Sequence, residues 1–252
     1  PITRRELLKS SILSTGITVL SKRDAFAALD PKTAVDGWRK NMLKFGEKHG
    51  RFRAQADLDG PIDPLLGATF YDAQRVFYLI GDYTKDKVWT KYAERAMAVY
   101  RDRYVMKHDG KLLGYWNFTR GIAMHYKRTG DPVSRQAVRM LAQNGAYGPD
   151  ATPLDWTKSV DRSREVAYQI NAKLDAGSVG EPRAPKLVKF GDQALGHIDQ
   201  WFVSKTSPYL QPFMVGLTSE ALINWDAQNP DPRVLPALKT AAAGLWNHLW
   251  VA

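Results

Sequence analysis

Cysteine is missing from all 252 residues. Disulfides, thiolate metal sites and cysteine nucleophiles are therefore excluded, and stability falls to the apolar core. Long apolar runs are missing as well. Spanning a bilayer takes roughly 20 mostly apolar residues, whereas the stretch from Ser10 to Ser21 is diluted by Ser10, Ser11, Ser14, Thr15, Gly16, Thr18 and Ser21, so no transmembrane segment is expected. Alternating apolar and polar positions, the mark of strands, are nearly absent. The five histidines, His49, His108, His125, His197 and His248, show no metal-ligand spacing. No nucleic-acid motif is present. The charge of +10 is scattered along the chain instead of gathered in runs, which reads as a solvated surface. No cofactor and no metal is expected.

What is present begins with an address. A basic head (Arg4, Arg5, Lys9), a middle from Ser10 to Ser21 and a small-residue end at Ala25-Phe26-Ala27 follow the tripartite plan of an export signal. The pattern Thr3-Arg4-Arg5-Glu6-Leu7-Leu8-Lys9 closely resembles the twin-arginine export signal. That resemblance implies cleavage after Ala27, passage of an already folded chain through the twin-arginine machinery, and work in the periplasm or outside. Without residues 1–27 the chain keeps 225 residues and a net charge of +7. With 44% hydrophobic residues, residues 28–252 are long and apolar enough to bury one core as one domain.

The rest of the chain has a beat. Asp30, Asp82, Asp131, Glu181 and Asp231 each sit beside glycine or proline, at intervals of 52, 49, 50 and 50 residues. An internal repeat of this length points to stacked supersecondary units. An acidic residue can cap a helix start, proline suits its first position and glycine closes the helix before, so the marks read as turns between helices. After each mark the apolar residues recur with helical period on one face, as in Trp89, Tyr92, Ala93, Ala96, Met97 and Tyr100. Before each mark, as in "REVAYQINAKL" and "FMVGLTSEALINW", apolar or small residues surround most of the circumference, as in helices packed on most sides. The pattern predicts an all-α fold with outer helices beginning near 31, 85, 132, 184 and 232, and inner helices near 70–80, 118–129, 164–176 and 213–226.

Helical hairpins with a repeat of about 50 residues and "TGDP"-type turns resemble the α/α toroid, particularly the six-hairpin glycosidases and related polysaccharide lyases, over residues 31–252. Because four inner helices match five outer ones, the expectation is a ring that is open or a natural chain that continues past Ala252. A superhelical solenoid of helix pairs is the structural alternative. The resemblance implies an activity on polysaccharides, with the site at the end where the long loops enter the inner helices.

Those loops are rich in Trp, Tyr, Asp and Arg, the side chains a sugar cleft uses. Aromatic faces stack on a pyranose, and glycoside hydrolysis needs two carboxyls about 5 to 9.5 Å apart. The candidate catalytic residues are Glu165 as general acid, with Asp199 or Asp59 as its partner. Tyr115, Trp116, Trp201 and Tyr209 are candidate sugar platforms, with Arg120, Arg164, Tyr168 and His197 as further substrate contacts. A lyase would instead take Tyr168 or His197 as base and Arg120 or Arg164 to neutralise a uronate, although the Asn-Asn-His motif associated with toroid alginate lyases is missing. Asp57, Asp59 and Asp63 carry oxygens of the kind calcium takes, but the complete calcium-loop pattern is absent and a turn is the preferred reading.

Two function classes follow. One is an exported carbohydrate-active enzyme, a hydrolase or a lyase, acting on a poly- or oligosaccharide, acidic ones included. The other is a noncatalytic helical-repeat module that binds a glycan or a protein partner. A terpenoid-type cyclase on the same architecture lacks its aspartate-rich metal motif here.

Overall fold

The computed structural model describes residues 31–67 and 71–249; the expected export signal lies outside them. Helices account for the regular structure, and no strand occurs among the described residues. The helices that the sequence pattern marks as outer are α1 (Pro31–Gln55), α4 (Val88–Met97, continued as a π-helical stretch, Ala98–Val105), α6 (Pro132–Asn144), α8 (Leu187–Phe202) and α10 (Val234–Leu249). Those it marks as inner are α3 (Ala73–Thr84), α5 (Arg120–Thr129), α7 (Ser163–Ser178) and α9 (Pro212–Asp226), and a short α2 (Ile62–Gly67) fills part of the first long loop. All nine long elements stand where the 50-residue pattern predicts them. None is long and apolar enough to cross a membrane.

The inner helices lie side by side, α3 on α5, α5 on α7 and α7 on α9. Equivalent positions meet at the repeat distance. Asp72 bonds Gly121 and Tyr78 bonds His125 between the first pair, and Ser163 meets Met214 and Asn171 meets Asn224 between the last. Both ends of the first and last pairs match in the same order, so α3 runs parallel to α5 and α7 to α9, as a helix returning the chain after every one requires.

Two apolar clusters form, and α7 belongs to both. Tyr168, Ala172 and Ala176 face the first, with Phe77, Tyr100 and Ile122. Val166, Ile170 and Leu174 face the second, with Phe190, Leu222 and Trp225. This two-sided burial is why α7 is apolar or small around its circumference. The same reading of α9 fails on one side. Met214, Val215, Ala221 and Leu222 are buried, but Phe213 is 45% exposed and Gly216 is open, because no further inner helix packs on that face among the described residues.

Of the acidic turn marks, Asp30 lies outside the described residues, and the other four divide between two tasks. Asp131 is a helix cap, accepting the Val133 N–H at 3.0 Å ahead of Pro132, and Asp231 accepts the Arg233 N–H at 2.9 Å. Asp82 and Glu181 are not caps. Asp82 lies in the last turn of α3 and pairs with Arg128 of α5 at 2.7 Å, while Asp86 takes the Val88 N–H instead. Glu181 lies six residues before α8 and pairs with Arg135 of α6 at 3.2 Å. These marks tie neighbouring units together through side chains long enough to cross the turn. In the first long loop, Asp57 accepts the Asp59 N–H at 3.0 Å, an Asx turn.

Candidate functional site

The inner helices begin at different levels. Arg120, the first residue of α5, bonds Asn171 and Asn224, deep within α7 and α9. The first two turns of α7 and α9 therefore project past the starts of α3 and α5, and the long loops pack against the projecting turns.

At the entry to α3, Tyr71 and Asp72 both adopt left-handed backbone conformations (φ 58° and 63°), uncommon for residues with a Cβ. The Asp72 carboxylate compensates. It accepts the Arg75 N–H at 3.3 Å and the Gly121 N–H at 3.0 Å, capping α3 and α5 together. A Cβ on Gly121 would overlap Gln74 and Asp72, so this approach admits only glycine. Burial pushes the Asp72 carboxyl up to about 6, against the two backbone donors and Arg75.

From this junction a ladder of aromatic rings leads outward. Tyr71 meets Phe118 at 6.4 Å between centroids, Phe118 meets Tyr168 edge-on at 5.5 Å and Trp116 at 5.9 Å, and Trp116 meets Tyr115 at 6.2 Å. Tyr100 fixes the loop that carries them. Its hydroxyl donates to the Trp116 carbonyl and accepts the Phe118 N–H at 2.9 Å.

Arg164 lies with its guanidinium 5.4 Å from the Tyr115 ring centre and donates to Glu165 Oε1 at 3.0 Å. Gly114 makes the room, since a Cβ there would overlap Glu165 Cγ. Glu165 Oε2 and the Tyr168 hydroxyl are buried without a hydrogen-bond partner among the described residues. Buried polar atoms are rarely left so; these two stand one helical turn apart on α7. Burial holds the Tyr168 hydroxyl far above its ordinary pKa. Tyr209 reaches the same rim, donating to Asp161, and that bond pushes the phenol up to about 12.

Beneath the rim lies a polar network on the inner faces. Arg75 pairs with Glu220. Arg120 donates to Asn224 Oδ1 at 3.2 Å and to Asn171 Oδ1 at 3.1 Å, and its Nε is 3.7 Å from Asp175. The Asn224 amide donates to Asn171 at 3.0 Å, and Thr119 donates to Asp175 at 2.7 Å. Burial raises the Asp175 carboxyl despite Arg120 and Thr119.

Of the residues the sequence singles out, Tyr115, Trp116, Arg164, Glu165, Tyr168 and Tyr209 come together at the rim. Arg120 lies deeper, held by three partners, and positions α7 and α9. Of the other four, two are exposed and two are buried. Asp59 is exposed in the Asx turn, and Asp199 is exposed near the end of α8, on an outer helix. His197 is fully buried, with Nε2 3.1 Å from the Thr157 carbonyl, and burial lowers its pKa to about 4. Trp201 is 6% exposed and packs in the second cluster. The turn of α8 that carries His197 and Trp201 faces inward, so neither has surface for a substrate.

Sequence reasoning missed the network of Arg75, Asn171, Asp175, Glu220 and Asn224. A signal existed: polar residues inside otherwise apolar helices recur on the same beat, Arg120 to Asn171 to Glu220 and Asp175 to Asn224. In comparisons with known proteins, no family model matches the chain, and neither a curated protein nor a solved structure matches it.

Proposed function

We propose that this is an exported protein that engages a poly- or oligosaccharide at the end where its long loops enter the inner helices, in the manner of an α/α toroid. The observation that carries the reading is the ladder of rings from Tyr71 through Phe118 and Trp116 to Tyr115, which ends on the Arg164–Glu165 pair. Aromatic faces next to a charged pair supply what a sugar ring needs: apolar surface for its C–H face and donors and acceptors for its hydroxyls. Arg164 favours an acidic sugar.

Binding without turnover is the form that the carboxylates favour. Glu165 is ion-paired with Arg164, Asp72 caps two helices, and Asp59 and Asp199 are exposed. A hydrolase reading retains one supporting observation, the unpartnered Glu165 Oε2 beside the unpartnered Tyr168 hydroxyl. There Glu165 acts as the acid, and the carboxylate nearest in sequence at the rim is Asp161. Titrating residues 28–252 with neutral and acidic oligosaccharides, and assaying the same mixtures for new reducing ends and unsaturated sugars, separates the two forms. Heat without product supports binding. Neither heat nor product from any glycan, with the helical spectrum intact, overturns the proposal.

A further inference from the structure

A cavity of about 320 Å³ opens between the second half of α6, the last turns of α7 and the segment 181–185. It involves none of the rim residues. Arg139, Lys173 and Arg183 line it on the cationic side, Asp150 and Glu181 on the acidic side.

The signs do not cancel. Glu181 is taken by Arg135, whose Nε lies 3.2 Å from its carboxylate. That leaves Asp150 against three cations. Lys173 is 4% exposed, an unusual position for an ammonium without a carboxylate partner. Its Nζ donates to the carbonyls of Ala142 and Gly148, both at 3.2 Å. An ammonium has three donors; these carbonyls take two, and beyond them the Nζ faces the Phe190 ring at 5.9 Å from its centre, with no anionic acceptor among the described residues. Burial lowers this lysine to about 8, with Lys186 adding to the effect and Asp150 opposing it, as expected of a cation short of an anion.

The walls are held in place before any ligand arrives. Lys186 donates to the carbonyls of Pro149 and Thr152, at 2.6 and 2.7 Å, and fixes the 149–152 strip. Pro182 and Pro185 flank Arg183 and restrict its backbone. Ligand sites are commonly of this size and preformed.

We infer that this cavity binds a small oxyanion-bearing molecule, a carboxylate or a phosphate, through Lys173 at its base and Arg139 and Arg183 at its mouth. An anion there supplies the acceptor the lysine lacks, and the two guanidinium groups suit the paired oxygens of either group.

The test is calorimetric titration of the full chain with inorganic phosphate and, separately, with glucuronate, at low ionic strength, where screening is weak. At least one probe should bind, and the tighter one names the class. Arg139→Ala with Arg183→Ala should weaken that binding by about tenfold or more, since both side chains are exposed and the fold does not depend on them. Lys173→Met should abolish it; if that chain fails to fold, the double arginine variant decides. Absence of binding by either probe, or equal affinity in the double variant, overturns the inference. Because the rim is untouched by these substitutions, oligosaccharide binding serves as the independent control, and its failure would bear only on the proposed function.

Discussion

Arg75 on α3 and Glu220 on α9, separated by 145 residues, form an ion pair that joins the first inner helix to the last. It brings into contact the two ends of the row, and Arg120 of α5 likewise reaches past α7 to Asn224 of α9. Each side chain is about a quarter exposed, so water softens the interaction without removing it.

Loss of one partner should therefore cost more than loss of both. Glu220→Gln or Arg75→Met leaves a half-buried charge facing the network and should destabilise by about 1 to 2 kcal/mol. The double variant Arg75→Met/Glu220→Leu should recover part of that loss. Urea midpoints for the native chain, Arg75→Met, Glu220→Leu and the double variant form a mutant cycle, and strict additivity would show that the pair is uncoupled.

Asp72 and His197 should impose opposite pH dependences. Asp72 has its pKa raised to about 6 from 3.8, so the folded state holds its proton more tightly. The resulting stabilisation is full below about pH 4 and is lost as pH rises through 6. His197 has its pKa lowered to about 4 from 6.5, so its contribution is full above about pH 6.5 and is lost as pH falls toward 4. The two effects oppose each other between pH 4 and 6. Relative to the native chain, Asp72→Asn should gain stability as pH rises across that window, and His197→Gln should gain it as pH falls, each by on the order of 2 kcal/mol. Chemical denaturation at pH 4, 5 and 6 measures both slopes, and Asp175, raised in the same direction as Asp72, remains as a common background.

Gly114 should not tolerate alanine. The added methyl overlaps Glu165 Cγ, and because Glu165 is buried the side chain has little room to retreat. Gly114→Ala should cost about 1 to 3 kcal/mol and displace the carboxylate from Arg164. Thermal melting reads the first effect and oligosaccharide affinity the second.

Rim substitutions should sort the functional readings. Trp116→Ala removes a ring from the ladder and should weaken oligosaccharide binding by on the order of 2 kcal/mol. Glu165→Gln should leave affinity within a few-fold, roughly 1 kcal/mol, if the protein only binds, and should eliminate product if it hydrolyses. Calorimetry with a parallel reducing-end assay gives both values.

The helices were legible because their signals are local. Gly130 takes the left-handed position that ends α5 (φ 71°), and Asp131-Pro132 starts α6 with a cap and a first-position proline. The apolar period then says which face is buried, without reference to any other helix. The rim residues Tyr115, Trp116, Arg164, Glu165, Tyr168 and Tyr209 were legible for a related reason: they lie in the loops leading into successive inner helices or at the helix starts, and a repeat of constant length brings equivalent positions to one end.

What failed was the assignment of direction. His197 and Trp201 share a helix with Asp199, and the sequence places all three near the same end of the molecule. Only the packing of α8 decides that the first two point into the core and the third into solvent.

Sequence alone determined the all-α class, the 50-residue unit and the order and bounds of the helices, since each follows from interactions within a few residues of the chain. Tertiary structure alone decided that Asp72 caps two helices, that Arg75 reaches Glu220, and that Lys173 stands buried without a carboxylate. Those outcomes depend on the relative height and rotation of helices 50 to 150 residues apart, which are set by side-chain volumes meeting across the core and leave no mark in the local pattern.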